Sequence, residues 1–135
     1  MPFAITGERE LKENNRFLFS KFMQFVWIAS IAFVVYLSLN PRVDFPFDFK
    51  NIDKAYHSVA YMWLAAIPFF GFQRFKTALA GACLMLPLGI ALEFAQGFVA
   101  GRLFSISDMI ANGIGVLLGV SLGRYLKSRF WGQYS

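Results

Sequence analysis

Four apolar stretches limit what this chain can become. They cover residues 22–39, 55–72, 77–100 and 106–125, and polar or basic segments separate them. Crossing a bilayer takes about 20 mostly apolar residues. In hydrocarbon a lone segment must satisfy its own backbone, which leaves the α-helix. The pattern predicts an all-α membrane protein with four transmembrane helices in a single domain, residues 1–135. Composition agrees. Hydrophobic residues make up 57 % of the chain and charged residues 16 %, against about 45–50 % and 25 % in soluble domains. A small soluble domain has too much surface for so few charges to cover. The composition therefore argues against a soluble globular protein, a disordered chain and a disulfide scaffold. Cys83 is the only cysteine. It permits no internal disulfide and reads as a small packing residue.

The net charge of +5 belongs to topology, and nucleic acid is not an expected partner. Lys and Arg gather in short flanks beside the apolar stretches, as membrane orientation requires. Arg9, Lys12, Arg16, Lys21, Arg74, Lys76, Arg124, Lys127 and Arg129 fall on one side; Arg42, Lys50, Lys54 and Arg102 fall on the other. The excess places both termini in the cytoplasm. The charged lead-in before the first stretch, with no small-x-small site after it, does not fit a cleaved signal peptide. Residues 8–19 read as a solvated helical extension of the first span. Phe45, Phe47 and Phe49 alternate, as in an extended strip lying in the headgroup region. The short 73–76 connection makes spans two and three antiparallel neighbours. Pro87 should kink span three and free the Cys83 carbonyl.

Charge inside a span costs roughly 2.5–3.5 kcal/mol at its centre, so polar residues at span ends need a reason. Asp53, His57 and Tyr61 are spaced by four and share a face; Glu93 and Gln96 are spaced by three. Asp108 and Asn112 share a face that continues through Gly115, Gly119 and Gly123. At 1.5 Å per residue, Glu93 stands about 24 Å from Thr77, His57 about 22 Å from Phe72, and Asn112 about 18 Å from Arg124. Three spans deliver polar residues to one level, on the side with fewer cations. Each also has a structural role open to it. Asp53 and Asp108 suit helix N-termini, and Ser105-x-x-Asp108 resembles a capping box. Lys54 and Arg102 can snorkel to phosphates. Glu93 is the hardest to explain structurally, because it caps nothing and sits inside an otherwise apolar helix end. The glycine face suits packing within the bundle, with association with a protein partner as the lesser alternative.

In order, Asp53-Lys54-x-x-His57-x-x-x-Tyr61, Glu93-x-x-Gln96, Gly101-Arg102 and Asp108-x-x-x-Asn112-x-x-Gly115 resemble the VanZ-like family of small bacterial integral membrane proteins. The turn before Arg102 reads Val99-Ala100-Gly101 where members often carry proline. The resemblance implies a role at the outer face in cell-envelope chemistry.

Two function classes stay open. In the first, an outer-face polar pocket handles lipid-linked envelope precursors, with membrane lipids as surroundings and a lipid phosphate as ligand. His57 would be the base, Glu93 the acid and Asp53 or Asp108 the group orienting His57. Asp53, Lys54, Tyr61, Gln96, Arg102 and Asn112 would bind substrate. In the second, the protein is a non-catalytic accessory subunit whose polar cluster is a structural network. No cofactor is called for. A metal on His57, Glu93 and Asp108 ranks lower, because those ligands have no tight spacing in the sequence.

Overall fold

The computed structural model describes residues 3–41 and 52–131. Among these residues there are no strands. The helical segments are α1 (Phe3–Leu39), α2 (Ile52–Ala66), α3 (Pro68–Gly71), α4 (Phe75–Cys83), α5 (Met85–Gln96) and α6 (Ile106–Trp131). Phe45, Phe47, Phe49, Arg42 and Lys50 lie outside the described residues.

The expectation of four long apolar helices needs correcting. Among the described residues, three helical stretches are long and apolar enough to cross a membrane by themselves: Gly7–Leu39, Phe75–Gln96 and Ile106–Phe130. The second apolar stretch is divided at Ile67 into α2 and α3. Pro68 has no N–H, so the Leu64 carbonyl one turn back has no helical donor. The Trp27 indole of α1 supplies one, donating to Leu64 O at 2.8 Å. A buried carbonyl is thus satisfied from a neighbouring helix. The third stretch divides at Leu84, three residues before Pro87, where the sequence places the kink. It also ends early, at Gln96. Residues 97–101 tighten into turns, with bonds such as Val99 N–H to Gln96 O at 2.9 Å, and Gly101 takes a left-handed φ of 81°. The polar lead-in and the first span form one helix, α1. At 37 residues it extends about 55 Å, well beyond a hydrocarbon core of about 30 Å.

The divided segment α2–α3 lies at the centre. Tyr61, Leu64, Ala65, Ala66, Ile67 and Phe69 are all buried. They pack with Ala78, Ala82, Met85 and Val116, and Trp27, Ile31 and Val34 of α1 lie against that cluster. Small residues let the backbones approach closely, as within membrane bundles. The large apolar side chains Phe22, Phe25, Ile28, Phe33, Leu117 and Leu118 are exposed. Cys83 is exposed as well, so it does not pack in the core as expected.

Helix α6 lies along α2 through its glycines. A Cβ on Gly115 would collide with the Ser58 carbonyl, and one on Gly119 with the Met62 carbonyl; on Gly123 it would sit 2.6 Å from the Phe69 ring. The glycine face is therefore occupied by α2 and α3 of the same chain. At the far end of the bundle, the Lys127 ammonium donates to Phe72 O at 2.7 Å and Gln73 O at 3.0 Å, closing the end of α3. Ser20 and Gln24 of α1 both donate to Gly71 O, at 2.6 and 2.7 Å.

Candidate functional site

The start of α2, the end of α5 and the start of α6 meet at one end of the bundle. His57 comes from the second turn of α2, Glu93 from the last turn of α5 and Asp108 from the first turn of α6. His57 Nδ1 lies 3.8 Å from Glu93 Oε1, and His57 Nε2 lies 4.0 Å from Asp108 Oδ2. Asn112, one turn beyond Asp108, places Oδ1 3.0 Å from His57 Nδ1. An amide oxygen only accepts, so Nδ1 donates to it. Neutral His57 then keeps its lone pair on Nε2, the nitrogen facing Asp108.

Burial grades across the group. Glu93 is 1 % exposed, Asn112 3 % and Gln96 4 %. The His57 and Asp108 side chains retain 20 % and 18 % exposure, so they form the accessible edge. Tyr61, one turn below His57, is buried at 2 %. Gly89 lets α5 settle over this layer: a Cβ there would stand 3.0 Å from the Tyr61 ring and 3.2 Å from Asn112 Nδ2. Sequence reasoning passed over Gly89, because an isolated helical glycine carries no signal until its neighbour is known.

The start of α6 explains part of Glu93. Ser105 Oγ accepts the Asp108 N–H at 3.2 Å, half of a capping box. The other half normally comes from the residue three positions on. Here Glu93 Oε2 accepts the Ser105 N–H instead, at 3.2 Å. Glu93 thus caps α6 from a different helix, which corrects the expectation that it caps nothing. The Asp108 carboxylate is released from that duty and faces His57.

A cavity of about 320 Å³ adjoins the cluster. Asp53, His57, Tyr61, Gln96 and Arg102 line it, together with Val34, Leu37 and Val59. Its α1 wall was not anticipated, because Val34 and Leu37 look like any other lipid-facing residues of a span. Arg102 borders the cavity while donating to Leu37 O at 3.3 Å and Asn40 O at 3.4 Å, at the end of α1. Lys54 lines a second groove, with Ser58, Ser107 and Ile110, between α2 and α6.

A family model described as VanZ/LLP1 matches residues 2–127, nearly the whole chain. The protein belongs to the VanZ/LLP1 family. No curated protein and no solved structure matches it. The family match includes α1, which the motif-bearing segments from Asp53 onward leave out. In this VanZ/LLP1 chain α1 supplies the cavity wall and the carbonyls that hold Arg102. The spaced polar residues of α2, α5 and α6 form the cluster itself.

Proposed function

We propose that this protein sits in the bacterial cytoplasmic membrane with both termini in the cytoplasm and handles a lipid-linked envelope precursor at the outer end of its bundle. In this reading the α2–α3 segment completes a fourth crossing. Its 20 residues from Ile52 to Gly71 extend about 30 Å.

The observation that carries the proposal is the mixed lining of the cavity. Val34, Leu37 and Val59 suit an acyl or prenyl chain, and His57, Gln96 and Arg102 suit a phosphate. Arginine is the natural donor for phosphate oxygens. His57, with Nδ1–H held by Asn112, has Nε2 free to accept a proton. Glu93 serves as the acid, and Asp108 orients and stabilises the imidazolium. Lys54, in its separate groove, is left out of headgroup binding.

The test is binding of a polyprenyl phosphate to the purified full chain in nanodiscs, with the matching polyprenol as comparator. The phosphate should bind at least tenfold more tightly, and Arg102→Ala and His57→Ala should each remove most of that preference. Equal binding of the two lipids would end this reading. The accessory-subunit reading would then stand, supported by the Glu93 to Ser105 bond that ties α5 to α6.

A further inference from the structure

We propose that His57, Glu93 and Asp108 bind a divalent transition-metal ion, Zn²⁺ or Mn²⁺. The inference deepens the reading above but does not depend on a lipid being bound. One ligand atom from each residue can be chosen so that all three lie within 4.8 Å of one another. Ligands at about 2.0–2.2 Å from a common ion stand about 3.2–3.6 Å apart at tetrahedral angles. Side-chain rotations that bring the atoms about 1.2–1.6 Å nearer close the difference. An imidazole with two carboxylates suits such ions.

Three further features agree. Metal-bound histidines almost always donate their other ring N–H to a neighbouring acceptor, which fixes the tautomer. Asn112 Oδ1 provides that acceptor at 3.0 Å from Nδ1, which turns the Nε2 lone pair toward Asp108. Glu93 is likewise held, with Oε2 on the Ser105 N–H; its Oε1 stands 3.8 Å from Nδ1 and reaches an ion on Nε2 through the side-chain rotation described above. Charge is the third feature. Both carboxylates face His57, and a metal-bound imidazole is neutral. The ion then supplies the positive charge that an imidazolium would otherwise bring to these carboxylates, with the Arg102 guanidinium as a further cation acting on Glu93. Three protein ligands leave coordination positions open, as catalytic sites do. His57 also lines the neighbouring cavity, so an anionic headgroup there could reach the ion.

The full chain in detergent, stripped with a chelator and free of lipid phosphate, is titrated separately with Zn²⁺ and Mn²⁺ and followed by calorimetry and thermal unfolding. One equivalent of at least one ion should bind and raise the Tm. His57→Ala, Glu93→Gln and Asp108→Asn should each weaken binding at least tenfold, and Glu10→Gln should not. Co²⁺ substitution should give visible bands that His57→Ala abolishes, a readout independent of stability. Absence of stoichiometric binding, or binding unchanged in His57→Ala, overturns the proposal. Metal uptake without preference for the lipid phosphate sinks the precursor reading alone. Lipid-phosphate binding by a chain that takes up neither ion sinks the metal site alone.

Discussion

Glu93 has two oxygens with two different partners. Oε2 caps α6 through Ser105 N–H, and Oε1 faces the imidazole of His57. These roles separate by substitution. Glu93→Gln keeps a carbonyl oxygen for the Ser105 N–H, so it should unfold in detergent within about 1 kcal/mol of the parent, the usual worth of one hydrogen bond. Glu93→Leu leaves that N–H without its acceptor and should lose about 1–3 kcal/mol, read as a fall in Tm. If Glu93→Gln fell as far as Glu93→Leu, the charge itself would be structural. The position of Glu93 near the end of an apolar stretch already marked it as unusual. Its cap was not legible, because capping rules look three residues along one helix. Here the partner lies twelve residues away, across a turn, on another helix.

Between elements, the decisive contact is α6 on α2. Gly119 rests against the backbone of Met62 and Gly115 against that of Ser58, whereas Gly113 has nothing within 4 Å of where a Cβ would go. Gly119→Ala must therefore push the helices apart and should cost about 1–3 kcal/mol, the usual range for overpacking. Gly113→Ala should gain about 0.5–1 kcal/mol from helix propensity. Thermal unfolding of both variants in one detergent checks the opposite signs. The small-residue face was readable from its spacing of four, but its partner was not. A spacing names the face of its own helix and says nothing about which helix covers it. The break in the second stretch shows a similar limit. Pro68 announces a lost bond, yet only the fold shows Trp27 meeting the orphaned carbonyl.

Across the whole molecule, small residues and the divided α2–α3 segment fill the centre, and large apolar side chains face outward. A membrane makes that distribution stable, because lipid receives exposed phenylalanine and leucine without penalty. The proposed orientation predicts the accessibility of the connections. In a Cys83→Ser background, a cysteine at Phe98, which is 93 % exposed, should react with a membrane-impermeant maleimide added to intact cells. A cysteine at Gln73 should react only after permeabilisation. The reverse pattern would invert the topology.

The sequence by itself determined the helical membrane class, the break near Pro87, and the level at which His57, Glu93, Asp108 and Asn112 gather. Those features follow from local quantities: apolar length, rise per residue and the chemistry of proline. Only the tertiary structure decided which of these residues meet. It placed Lys54 in a separate groove, gave α1 to the cavity wall, and brought His57, Glu93 and Asp108 within reach of a single ion. Helix rotation and partner choice settle those contacts, and both are set by packing among all the helices together.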